Sequence, residues 1–240
     1  MRKKLRETLS DKRVLTVIAG FLVLYTVYFL VHSNTEAKYI FHSTLDNYIP
    51  FNEWFIFPYI SWYLYISVPL VFMCIRNRDA FFQAAIYMFS GIIFAVFIFS
   101  FFPNGIAFRP EDPAFWPNTV NPLPDRQNAA MWIVKLLFNN DPPRNVMPSL
   151  HCYESVVVCV ALFKAKIFKH PILGNFLSVL LAALICLSTV IVKQHSVLDF
   201  FAGIGLAVPM YFWAYYMPWP VNRRNKIKTP AAIESPPSAE

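Results

Sequence analysis

Residues Ile172 to Met217 read ILGNFLSVLLAALICLSTVIVKQHSVLDFFAGIGLAVPMYFWAYYM. Two apolar runs, Ile172–Val192 and Ser196–Met217, meet at a short polar joint, Lys193-Gln194-His195. A helix that crosses a bilayer needs about 20 mostly apolar residues, with ~17–25 as the working range. Lipid offers no partner to backbone N–H and C=O groups, so such runs cross as helices. The stretch therefore predicts two membrane helices joined by a tight polar turn.

Working outward, four further runs qualify: Val14–Val31, Pro58–Ile75, Phe81–Phe102 and Met147–Phe163. The expected fold is all-α, a polytopic bundle of six transmembrane helices filling residues 1–219. The first run is expected to stay as an uncleaved span, because it is long for a signal-peptide core. Residues 220–240, polar and Pro-rich, are expected to form a disordered cytoplasmic tail. Composition agrees: 57% of the 240 residues are hydrophobic and only 15% are charged, against roughly 45–50% and ~25% in soluble domains.

The net charge of +7 lies in short runs between the apolar stretches. Arg2, Lys3, Lys4, Arg6, Lys12 and Arg13 precede the first span, and Arg76 and Arg78 join the second to the third. Lys164, Lys166 and Lys169 follow the fourth, and Arg223, Arg224, Lys226 and Lys228 follow the sixth. A six-span chain puts all four groups on one side, which the positive-inside rule makes cytoplasmic, with both termini there. The charge thus speaks for a bilayer, expected to be the cell membrane, and no nucleic-acid motif is present. Cys74, Cys152, Cys159 and Cys186 lie in or beside apolar runs without a CxxC pair and read as small buried hydrophobes.

The long outer connection, Pro103 to Val146, carries Arg109, Arg126, Lys135 and Arg144. Within it, Arg126–Phe138 places Ala130, Ile133, Val134 and Leu137 on one helical face; this is either an interfacial helix or a buried loop helix. The aromatic stretch Asp46–Trp62 is either a headgroup-level anchor or the lining of a lipid entry groove.

Ionisable residues at the mouths of spans are costly and point to function. They form three groups: Arg109-Pro110; Asn145 to His151 (NVMPSLH); and Ser188-Thr189, Lys193, His195 and Asp199. Pro148 is expected in a first helical turn, whose free N–H groups favour an anion. Ser149 adds a donor and His151 a ring that titrates near neutrality. His195 and Asp199 are four residues apart, hence on one face of a helical turn. The carboxylate can fix the imidazole tautomer and leave the other nitrogen to attack. The charge rule puts all three groups on the outer side. Two imidazoles, a carboxylate, cations and N–H donors suit phosphoryl transfer.

These residues resemble the motifs of the type 2 phosphatidic acid phosphatase superfamily: K-x6-R-P, P-S-G-H and S-R-x5-H-x3-D. Here they read Arg109-Pro110, Pro148-Ser149-Leu150-His151, and Ser188-Thr189-x5-His195-x3-Asp199, over roughly Pro103 to Gly203. The chain departs at three positions: Phe102 stands for the family lysine, Leu150 for the glycine and Thr189 for the arginine. The P-S-L-H form resembles the branch that includes inositol phosphorylceramide synthases.

The resemblance implies His195 as the nucleophile that forms a phosphohistidine, Asp199 as its orienting acid and His151 as proton donor, then base. Arg109, Ser149 and Lys193 would bind phosphate, with Arg144 and Asn145 as further contacts. Neither a metal nor a cofactor is expected. The implied activity is a lipid phosphate or pyrophosphate phosphatase acting on a membrane-lipid substrate, with its active site facing away from the cytoplasm. A headgroup phosphotransferase and a catalytically silent lipid-binding protein are the alternatives. The sequence assigns no oligomeric state.

Overall fold

The computed structural model describes residue 8, residues 10–106 and residues 126–222. Among them are seven α-helices: α1 Lys12–Asn34, α2 Ile56–Arg76, α3 Arg78–Phe101, α4 Ala129–Asn140, α5 Leu150–Ala165, α6 Pro171–Ile191 and α7 Val197–Tyr216. Two short parallel strands, β1 Tyr39–Ile40 and β2 Asn104–Gly105, pair beyond the ends of α1 and α3.

Five helices are long and apolar enough to cross a membrane: α1, α2 with the turn before it, α3, α6 and α7. The sixth expected span is α5, and it is shorter than the sequence suggests, at 16 residues. At about 1.5 Å per residue it spans roughly 24 Å, less than a ~30 Å hydrocarbon core. Its start explains the difference. Ser149 adopts an extended backbone and caps the helix, its side chain accepting from the Cys152 amide. Pro148 therefore lies before the cap, not in the first helical turn, and follows a cis Met147–Pro148 peptide.

α5 is the axis of the bundle, packing on α2, α3, α6 and α7. Tyr153 sits in a notch of α3 that only Gly91 leaves open, since a Cβ there would lie 2.0 Å from the Tyr153 ring. The Tyr153 hydroxyl donates to the Tyr87 carbonyl and accepts from the Gly91 amide. Tyr87 in turn donates to the Ala207 carbonyl of α7 at 2.7 Å. Buried phenols thus find backbone partners, as burial requires. The outward faces are apolar, with Leu22, Phe29, Leu64, Phe176 and Phe201 all more than half exposed. Such a surface is untenable in water and suited to lipid.

Charged connections gather at one end. Arg78 pairs with Asp11 at 3.2 Å, and Lys164 lies over the Tyr211 and Tyr215 rings at the end of α7. Pro220–Asn222, at the start of the segment expected to be disordered, form a helical turn in which Asn222 bonds Gln83 and the Ala214 carbonyl. Residues 223–240 lie outside the described residues. At the opposite end, α4 packs on α2 and on the turn before it. Ala130, Met131, Val134 and Phe138 are buried there against Ile56 and Tyr59. The loop helix is thus a packed one, with Trp132 and Leu136 left outward. All four cysteines are buried and free.

Candidate active site

The joint between α6 and α7 is set by backbone geometry. Lys193 has φ 63°, a left-handed residue that ends α6. The chain doubles back so that the Gln194 and His195 amides both donate to the Thr189 carbonyl, at 2.9 and 3.1 Å. A non-glycine residue there costs about 1–2 kcal/mol. The Lys193 ammonium offsets it by donating to the carbonyls of Asp46 and Ile49, at 2.8 and 2.6 Å. Burial pulls the Lys193 pKa down, and the Asp46 carboxylate opposes this.

Ser196 then caps α7. Its amide donates to Asp199 Oδ2 at 2.8 Å, and its hydroxyl donates to Asp46 Oδ2 at 2.6 Å. Asp46 Oδ1 accepts from the Val197 amide, and Oδ2 also from Ser43 N. Two carboxylates therefore sit on the N-terminus of α7, where the helix dipole favours negative charge. Asp46 went unmarked in the sequence reading except as the first residue of an aromatic stretch. Its only signal there was a carboxylate in a chain with few of them.

On this frame His195 Nδ1 faces Asp199 Oδ2 at 3.5 Å, with Asp199 fully buried. That exceeds an ordinary N–H···O bond of about 2.7–3.2 Å. His195 Nδ1 and Asp199 Oδ1 have no hydrogen-bond partner among the described residues. Catalytic contacts in empty sites are often long and tighten with substrate.

His151, on the first turn of α5, has its ring centroid 5.7 Å from that of His195. It is held by aromatic rings: Tyr59 at 4.6 Å and Trp62 at 4.3 Å. The aromatic stretch thus supplies walls to the site. α7 can approach the start of α5 only because residue 203 is glycine; a Cβ there would lie 2.4 Å from the Ser149 carbonyl. The Ser149 amide donates to the Asp199 carbonyl at 3.1 Å, tying the two motifs together.

Both histidines line one cavity of about 60 Å³. A water needs ~10–15 Å³ on that scale, so several waters or one small anion fit. Arg144, Asn145, Gln194, Glu154 and Trp62 also line it. Glu154 is buried one turn beyond His151, and Tyr25 donates to its Oε1 at 2.8 Å.

The structure thus brings His195, Asp199 and His151 together: the four-residue spacing sets the first two on one turn, and the packing of α7 on α5 adds the third. Of the other three expected residues, the two that the structure describes stand apart. Ser149 is fully buried and its hydroxyl caps α5. The Lys193 ammonium is held by the loop carbonyls, and Lys193 is not among the cavity-lining residues. Arg109 lies outside the described residues. Beyond the predicted set, Asp46, Tyr59 and Trp62 shape the site.

The family model described as the PAP2 superfamily matches residues 84–223, more than half of the chain. Those residues run from α3 through the end of α7 and contain both histidines and Asp199. Comparison with curated proteins and with solved structures returned no match.

Proposed function

The chain belongs to the PAP2 superfamily, and from that premise we propose that it is a six-span membrane enzyme that removes phosphate from a lipid phosphate or diphosphate. The observation that carries this reading is that His195 and His151 share one cavity while the buried Asp199 carboxylate backs His195. In the proposed cycle, His195 Nε2 attacks phosphorus while Asp199 holds the Nδ1 proton and steadies the positive ring. The N–P bond forms as the bond to the lipid oxygen breaks, and His151 gives that oxygen its proton. Water then attacks the phosphohistidine, His151 takes the water proton, and the N–P bond breaks to free phosphate and His195. Each proton transfer contributes roughly 10²–10⁴-fold.

The reading includes α5 as the sixth span and both termini in the cytoplasm. Its support is charge: the basic connections share the end of the bundle opposite the histidines. The active site then opens on the outer side of the cell membrane. Ser149 and Arg109 remain proposed phosphate contacts, the first through its place at the α5 N-terminus. For Lys193 the proposal is indirect, its charge acting from behind the joint.

The test is phosphate release from short-chain phosphatidic acid or a prenyl diphosphate by the purified protein, with chelator present. Turnover that vanishes in His195→Ala supports the mechanism, and unchanged turnover in that variant overturns it. The aromatic walls around His151 favour a second reading, in which a lipid alcohol replaces water as acceptor. A new phosphodiester lipid among the products would mark the enzyme as a phosphotransferase.

A further inference from the structure

A phosphoryl group needs cations, and two that the family motifs lead one to expect are missing: residue 102 is Phe and residue 189 is Thr. Lys193 is engaged by two loop carbonyls. Among the described residues one arginine nevertheless shares the cavity of the histidines. Arg144 lines the cavity with His151, His195 and Gln194. Its Nε is buried without a hydrogen-bond partner, and among the described residues no carboxylate pairs with it. The acids of the same cavity are engaged elsewhere, Asp141 with His32 at 3.4 Å and Glu154 with Tyr25 at 2.8 Å. A guanidinium cannot shed its proton, and a buried charged donor left unpaired is costly. The arrangement suits an arriving anion.

The backbone around Arg144 is locked. Arg144 bridges Gly105, and the Ile106 amide donates to the Pro143 carbonyl at 3.1 Å. A Cβ at Gly105 would lie 2.5 Å from that carbonyl, so the approach requires glycine. Asn145, at φ 53°, reverses the chain directly after Arg144, and its side chain donates to Thr35 Oγ1 at 2.5 Å. Asn104 Oδ1 accepts from the Val146 and Met147 amides at 3.0 and 2.8 Å. The end of α1, β2 and the segment before α5 thus fix the backbone that carries Arg144 before any ligand arrives, which lowers the cost of binding.

We infer that Arg144 is the phosphate-gripping guanidinium of this site, taking the place of the cations missing at 102 and 189. The inference rests on the phosphatase reading for its ligand, a terminal phosphoryl group. Two parallel N–H donors match two phosphoryl oxygens and leave phosphorus open to His195.

The experiment uses the full chain in lipid nanodiscs and two separate readouts. Affinity for inorganic phosphate and orthovanadate is measured by calorimetry, without turnover. Turnover is measured on short-chain phosphatidic acid. Arg144→Ala is expected to weaken phosphate and vanadate about 10- to 100-fold and to raise KM. Arg144→Lys recovers part of the affinity, and added free guanidinium restores turnover to Arg144→Ala. His195→Ala loses turnover but keeps its phosphate affinity within a few-fold.

Wild-type affinity in Arg144→Ala overturns the inference, and so does a wild-type protein that binds neither anion. If anion binding depends on Arg144 but no substrate turns over, the inference stands and the phosphatase reading falls. If turnover depends on His195 but KM and anion affinity ignore Arg144, the reading stands and the inference falls. Should Arg144→Ala fail to fold, Arg144→Lys decides: a several-fold loss of anion affinity at an unchanged melting temperature supports the inference, and no loss overturns it.

Discussion

The two histidines stand 5.7 Å apart but are held by opposite means. His195 rides on a polar frame. Its amide is fixed to Thr189, its ring faces Asp199, and the helix start beneath it is pinned by Asp46. His151 is held by the faces of Tyr59 and Trp62. Under the proposed mechanism the contrast follows from the two tasks. A nucleophile must keep one tautomer and one direction of approach, which hydrogen bonds impose. A residue that gives a proton and then takes one back must be comfortable in both states. Ring walls restrict its position.

The sharpest way to break the comparison is at the nucleophile. His195→Ala is expected to lower kcat by at least ~10⁴-fold, and Asp199→Asn by roughly 10³–10⁴-fold, since the tautomer is no longer imposed. His151→Ala should cost less, about 10²–10⁴-fold, and should depend on the leaving group. With p-nitrophenyl phosphate, whose leaving group needs no proton, the loss in the first step, formation of the phosphohistidine, should be recovered in His151→Ala and not in His195→Ala, while the second step stays slow in His151→Ala. Burst-phase release of p-nitrophenolate checks this. Equal recovery in both variants would show that the roles are not divided in this way.

A smaller effect is expected at the frame. Asp46 accepts three hydrogen bonds from the α7 cap and the Ser43 turn. Asp46→Ala should cost about 2–4 kcal/mol of stability, given ~1.5–3 kcal/mol for a hydrogen bond to a charged group, read from thermal unfolding in detergent. Trp62→Ala should leave stability nearer to wild type, because the ring faces a cavity, and lower kcat about 10-fold. If Asp46→Ala proves harmless to both stability and turnover, the polar frame is not what holds His195.

These contrasts also mark what the sequence could and could not reveal. Hydropathy located the long helices because the 20-residue apolar run is imposed by bilayer thickness. The spacing of His195 and Asp199 was readable because a helical turn alone brings them together. The start of α5 lies three residues later than the apolar run suggests, since Pro148 and Ser149 could each have opened the helix and only the fold decides between them. Asp46 was not readable, because it reaches Ser196 across 150 positions of chain and no local pattern encodes that meeting. Tyr59 and Trp62 read either as headgroup-level anchors or as a groove lining, and their contact with the His151 ring comes from how α2 packs on α5. Arg144 reads from the sequence only as a further phosphate contact, and its place on the cavity beside both histidines comes from the fold.

The subtlest expected effect concerns Lys193, which sits at the junction of the two regions. Its folded-state pKa is lowered, first by burial, against an opposing pull from Asp46. The unfolded chain, with a lysine pKa of about 10.4, therefore binds more protons than the folded chain between the lowered folded value and that point. Stability rises with pH wherever the unfolded state binds more protons. Across that window wild type should gain stability relative to Lys193→Met as pH increases, and below it the difference should be flat. Unfolding midpoints of the two proteins over an alkaline pH series measure the slope. A slope of opposite sign would mean that the ammonium gains more from the Asp46 and Ile49 carbonyls than burial takes away. In that case the joint would be held chiefly by charge, and the left-handed turn before His195 would weaken, not tighten, in alkali.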